Sequence, residues 1–154
     1  MQDLLVPLYN LPQPPSPFSD IIVRSVFSAE SERATAWVKR NFGQGWASEF
    51  KYAANQSPVS AYLAIKDKSI LGFACFNTAA KGCFGPTGTL ESARGQGIGT
   101  QLLFRALQDM RAQGFAYAVI AAAGPVEYYE RLVGAVQFEG GAPGFLGSIT
   151  PKED

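Results

Sequence analysis

The amino-acid sequence predicts an α/β domain: a central mixed sheet of about six to seven strands flanked by four helices. Three observations carry that prediction. Ile98, Leu102, Leu103, Ala106, Leu107 and Met110 recur at helical spacing, with Gln101, Arg105, Gln108, Asp109 and Arg111 on the other side. Ala116 to Ala123 is apolar on both faces, as a strand covered on both sides by helices is. The order of segments along the chain is strand, two helices, three strands, helix, strand, helix, two strands, which places helices on both faces of a mixed sheet.

The 154 residues suffice for one core and one domain. Pro7, Pro12, Pro14, Pro15 and Pro17 remove too many amide donors for a helix or an interior strand. Residues 1–19 are therefore expected to be an extended proline-rich arm, and residues 20–154 the domain. Ile21 to Phe27 reads as the first strand, and Ser28 caps a helix whose apolar stripe is Ala34, Trp37 and Val38. Gly43 and Gly45 break that helix, and Trp46 to Ala54 forms a second, ending before Pro58. Ala61 to Ile65 and Ile70 to Phe76 read as a hairpin around Lys66 to Ser69. Gly82 to Leu90 is weakened by Gly85, Pro86 and Gly88, so a bulged or splayed strand is expected there. Gly114 ends the strong helix and Gly124-Pro125 closes the apolar strand. Val126 to Val133 is a short helix, and two weak strands are expected around the turn Gly140 to Gly144.

Thirteen basic residues balance thirteen acidic ones, so no overall field draws the chain to nucleic acid or to an anionic membrane. The longest apolar runs fall far short of the roughly 20 residues a membrane span requires. The N-terminus shows no export signal, and a cytoplasmic protein is expected. Cys75 and Cys83 lack metal or redox spacing and read as buried free thiols. With no histidine in the chain, histidine triads are excluded, and no metal is expected.

Between the weak strand and the strong helix stand Arg94, Gly95, Gln96, Gly97, Ile98, Gly99 and Thr100. Glycine at every second position brings bare backbone close to a ligand. The helix that opens there offers unpaired amides and a partial positive charge, a phosphate site that needs no basic protein. No Gly-Lys-Ser or Gly-Lys-Thr follows, and Leu102 stands where a dinucleotide fingerprint has its third glycine.

This segment resembles the signature of the GNAT superfamily of acetyl-CoA-dependent N-acetyltransferases: Gln or Arg, two residues, Gly, one residue, then Gly or Ala. Arg94, Gly97 and Gly99 supply those positions. The order of elements from Ile21 to Thr150 is also similar to that fold, and Val126 to Gly134 to its second motif. The resemblance implies acetyl-CoA as co-substrate, held by Arg94 to Thr100 and by backbone groups of Thr89 and Leu90. Tyr128-Tyr129-Glu130 resembles the family's aromatic-Tyr pair, which makes Tyr129 the donor to the departing thiolate and lets Tyr128 line the coenzyme. Gly134 stands five residues after Tyr129 where the family has four, so Tyr128 is the alternative donor. Glu91 replaces the family's proline before the arginine, and reads either as a base for the acceptor ammonium or as a solvated turn carboxylate.

The same resemblance gives the first two helices to the acceptor pocket, with Trp46, Glu49 and Tyr52 as candidates; Trp46 reads equally as a core anchor. A carboxylate beside aromatics suits a cationic small molecule with a primary amine, such as an amino sugar or polyamine. A homodimer is one assembly open to such a chain. Two other readings stand beside the enzyme: a non-catalytic acetyl-CoA-binding or sensor module, and a structural domain whose glycine turn binds no phosphate.

Overall fold

The computed structural model describes residues 1–152. Its strands are β1 (Gln2–Pro7), β2 (Ile22–Ser25), β3 (Ala61–Lys66), β4 (Ser69–Phe76), β5 (Cys83–Thr89), β6 (Tyr117–Ala123) and β7 (Val136–Gln137). The helices are α1 (Ser31–Phe42), α2 (Gln44–Ala54), α3 (Ile98–Ala112), α4 (Val126–Val133) and α5 (Phe145–Ile149). One sheet holds all seven strands in the order β2-β3-β4-β5-β6-β1-β7. Every neighbouring pair is antiparallel except β5 and β6.

The β3–β4 hairpin turns on Asp67 and Lys68, both left-handed with φ of 49° and 65°. A two-residue turn of that hand matches the natural twist of paired strands. Along β4 the pleat then sorts side chains. Phe73 and Cys75 join Val38 of α1 and Phe50 of α2 on one face, while Ala74 and Phe76 join the α3 residues on the other. Leu102, Leu103 and Leu107 are almost wholly buried, each contributing roughly 1.5–3 kcal/mol by leaving water. Polar contacts also hold α3 in place: the Tyr62 hydroxyl donates to Asp109 at 2.6 Å, and Arg105 meets the same carboxylate at 3.3 Å. Burial is the chief cause that pushes the Tyr62 phenol well above its ordinary pKa, so it stays a donor.

Two expectations are corrected. The N-terminal residues are not all arm, because β1 lies inside the sheet between β6 and β7. Residues 2–6 carry no proline, and Leu4, Val6 and Leu8 alternate into the core at 0% exposure. Pro7 falls at the strand's end, where pairing is handed on by the Leu8 amide to Ala116 at 2.9 Å. Secondly, the segment after Gly144 is helix α5, a fifth helix, rather than a strand. The edge of β6 that a C-terminal strand would pair with is already occupied by β1. Instead, Asp3 of β1 accepts the Phe145 amide at the mouth of α5 and the Ala122 amide, both at 2.9 Å. Ala122 is itself left-handed, with φ of 51°, and the β1–β6 register shifts beside it, between Gln2 and Leu4. The Asp3 carboxylate thus takes an amide that this irregularity turns away from the ladder.

Candidate active site

The site begins where two parallel strands part. β5 and β6 pair only at Cys83–Val119 and Phe84–Ile120. Gly85 follows with a left-handed φ of 115°, and Pro86 has no amide to offer. Beyond Phe84 the β6-facing edge of β5 is open, as the glycine and proline pattern predicted, while β5 stays paired with β4 through Thr89. A cavity of about 460 Å³ fills the gap, lined by β5, the glycine loop, the first turn of α3 and both tyrosines of α4.

The loop owes its shape to Gly95 and Gly97, with φ of 81° and 90°. Alternating left-handed residues turn successive amides inward and make an anion-binding hollow. Gly97 is the N-cap of α3 and supplies no side chain to it, and the first amide bonded within the helix is that of Gln101, to Gly97. The amides before it are left for an anion, in line with the positive end of the helix dipole. Gly99 is helical, and a Cβ there would lie 3.6 Å from the Thr89 hydroxyl across the cavity. Arg94 donates to the Thr89 carbonyl at 3.3 Å, which holds its guanidinium at the rim.

The two tyrosines do different work. The Tyr128 hydroxyl is bonded to that of Thr100 at 2.6 Å, tying α4 to the first turn of α3. Tyr129 packs edge-on against Tyr128, with ring centroids 5.1 Å apart, and has no hydrogen-bond partner for its hydroxyl among the described residues. Burial, and secondarily the neighbouring Tyr128, push the Tyr129 phenol up to about 12. It is a neutral donor at pH 7.

Of the residues the sequence singled out, the cavity gathers Thr89, Arg94, Gly95, Gly97, Ile98, Gly99, Thr100, Tyr128 and Tyr129. Gln96 is outside that lining. Leu90 is outside it too, and its amide is engaged with the Leu71 carbonyl at 2.8 Å. Glu91 stands exposed in a 3-10 turn outside the lining, as a solvated turn carboxylate does. Phe84, Thr87 and Pro125 line the cavity without having been singled out. No local motif marks them; only the place where the strands part brings them in.

Trp46, Glu49 and Tyr52 sit apart from this cavity on α2. Trp46 stacks on Phe42 at 5.6 Å and meets Phe73 edge-on at 6.0 Å, so it anchors an aromatic cluster while leaving 39% of itself exposed. Tyr52 is exposed. Glu49 is half-buried, and desolvation raises its carboxyl above the ordinary range against the opposing bond from Thr78. The Thr78 hydroxyl lies 3.1 Å from the Glu49 carboxylate and 3.0 Å from the carbonyl of Gly85, the first residue past the β5–β6 pairing. A single hydroxyl proton cannot serve both acceptors. Thr78 thus links Glu49 to β5 at the point where its pairing with β6 ends, from the face opposite α3. Thr78 is a residue that sequence reasoning missed, since nothing in its neighbourhood marks it.

The family model of the acetyltransferase (GNAT) family matches residues 23–135. Several solved structures share the fold. A glucosamine N-acetyltransferase region of a fungal multi-domain GH3 β-N-acetylglucosaminidase superimposes with a TM-score of 0.70 at 14% identity, over 89% of this chain and 19% of that one. A GCN5-related N-acetyltransferase from Sphaerobacter thermophilus gives 0.70 at 20% identity, over 88% and 47%. An aminoglycoside N-acetyltransferase in complex with CoA gives 0.59 at 14% identity, over 80% and 93%. The chain thus spans less than half the length of the first two. No curated protein matches the sequence. The matched residues include β5, the glycine loop, α3 and α4 and contain every residue found to line the cavity, and the chain belongs to the acetyltransferase (GNAT) family.

Proposed function

We propose that the protein transfers the acetyl group of acetyl-CoA to the primary amine of a small molecule by direct attack, without a covalent enzyme intermediate. The observation that carries this is the pair of left-handed glycines at the uncapped mouth of α3, opening into a cavity that ends at an unpaired tyrosine hydroxyl. The pyrophosphate would rest on the loop amides, with Arg94 at the rim. The open edge of β5 from Gly85 to Thr89 offers backbone groups to an extended arm. A neutral amine attacks the thioester carbonyl carbon, the C–S bond breaks, the sulfur leaves as thiolate, and the nitrogen gives up one proton to solvent as the amide forms. Tyr129 is the group placed to receive it. A phenol held at about 12 transfers its proton only uphill to the thiolate of a thiol of pKa about 8.5, so Tyr129 stabilises the developing thiolate by hydrogen bonding and solvent completes the protonation.

The acceptor comes from the other side, where Glu49 on α2 is a carboxylate linked through Thr78 to the strand edge at Gly85. Its place supports a cationic amine, with Trp46 and Tyr52 as further candidates on the same helix. A second reading, a coenzyme-binding sensor without turnover, is favoured by one observation: no carboxylate among the described residues lines the cavity itself.

The experiment has two arms. CoA or acetyl-CoA is expected to raise the melting temperature with dose, as any ligand selective for the folded state does. No shift at millimolar coenzyme overturns both readings. Free-thiol release across a panel of amino sugars, polyamines and small amines then separates them, since the sensor binds and releases nothing.

A further inference from the structure

The chain between β1 and β2 crosses the sheet on the α3 side. β1 is sixth in the strand order and β2 first, a separation of roughly 24 Å at the usual strand spacing. The crossing segment, residues 11–18, is pinned to the first turn of α3, where the Gln101 side-chain amide donates to the carbonyls of Pro15 at 3.1 Å and Ser16 at 2.8 Å. Gln101 is also the residue whose backbone amide closes that turn, to Gly97 at 3.1 Å. The segment is anchored at both ends, by fully buried Leu8 before it and nearly buried Ile21 after it. Pro12, Pro14, Pro15 and Pro17 fix φ and leave little freedom to lose. At its end Phe18 is half-buried against the α3-side core, with its ring 3.8 Å from where a Cβ of Gly97 would stand.

We propose that this segment is a strap whose Phe18 is a positioning residue for the coenzyme loop, backing the left-handed turn at Gly97 so that its amides are aimed before the ligand arrives. Gly97 has no side chain of its own to hold φ at 90°, and a loop rich in glycine is the part of a site with most conformational entropy to lose on binding. An aromatic ring behind the turn reduces that loss without touching the ligand.

The inference rests on coenzyme binding as proposed above, and calorimetry with CoA tests the two separately. Wild-type protein that binds no CoA overturns both. Given wild-type binding, Phe18→Ala is expected to weaken CoA by roughly 3- to 10-fold, and Phe18→Leu to restore most of it by returning apolar bulk. A Phe18→Ala protein that melts lower but binds CoA with unchanged Kd reduces Phe18 to packing and overturns the strap. Should Phe18→Ala fail to fold, Gln101→Ala releases the strap, and with it the ring's hold on the turn, without removing any core side chain. A Kd raised at least 2-fold then supports the proposal, and an unchanged Kd overturns it.

Discussion

On the α3 side of the gap between β5 and β6 the proposed coenzyme contacts are largely backbone groups from neighbouring stretches: the open edge of β5, the glycine loop and the first turn of α3. On the opposite side the polar contacts are made by side chains from distant segments. Glu49 comes from α2, Thr78 from the β4–β5 connection, and Asp3 from a strand more than a hundred residues before the helix it caps. A backbone site tolerates change wherever no side chain enters it and fails where one does. A side-chain site depends on single groups and on the packing that delivers them.

The sharpest test of that contrast is Gly99→Glu. The new side chain starts 3.6 Å from the Thr89 hydroxyl and carries a negative charge into the anion site, while Gly99 has helical backbone that any residue accepts. CoA affinity should fall by 100-fold or more (~3 kcal/mol), with little change in the melting temperature of the free protein. Normal binding by this variant would remove the loop from the site.

Tyr129→Phe comes next, the one place on the backbone-lined side where a side chain is expected to carry chemistry. Loss of its hydroxyl should lower kcat by roughly 100-fold, the range for a positioned donor, with the Kd for CoA little changed because the ring remains. Tyr128→Phe, whose hydroxyl is engaged with Thr100, should keep most of kcat. The reverse result would make Tyr128 the donor.

How much of this was legible in the sequence follows the same divide. Spacing exposed the glycine loop, the periodicity of α3 and the weakness of β5 at Gly85, Pro86 and Gly88, because each is a local rule acting on adjacent residues. Hidden were the facts that depend on who occupies which edge. The alternation of Leu4, Val6 and Leu8 was present in the sequence, yet the prolines from Pro7 to Pro17 outweighed it when the segment was taken as one arm. Once β1 holds the β6 edge, the C-terminal segment has no partner there and coils into α5. No inspection of Phe145 to Ile149 alone reveals that. Thr78 and Glu91 show the same effect in opposite senses: an unmarked residue that folding brings to the gap, and a marked one that it leaves outside the cavity.

Asp3→Ala probes the side-chain face for stability alone. It leaves two backbone amides, those of Ala122 and Phe145, without the acceptor each has at 2.9 Å, and a lost buried partner is worth about 1–3 kcal/mol per orphaned donor. A loss of roughly 2–4 kcal/mol is expected by chemical denaturation, while the Kd for CoA stays within about 2-fold. A large loss of coenzyme affinity would mean that the two faces are coupled.

The smallest effect expected is that of Glu49→Gln on stability, and its sign depends on pH. Desolvation raises the Glu49 carboxyl in the folded protein, and the bond from Thr78 only partly opposes this. A group whose folded pKa lies above its unfolded value favours folding fully at pH below the unfolded value, and that contribution is lost as pH rises through the folded one. Wild-type and Glu49→Gln proteins should therefore match at acid pH, where both side chains are neutral. At pH 7 the glutamine variant should melt slightly higher, by about 2 °C or less, since it no longer holds a charge in a half-buried place. Turnover should move the other way. If Glu49 holds the acceptor's ammonium or takes its proton, the variant loses kcat/KM for a cationic amine at pH 7 and keeps its CoA affinity. A variant that melts higher at neutral pH with kcat/KM intact would leave Glu49 as a burden on the fold with no part in the reaction, and the acceptor's carboxylate would have to be sought on another element.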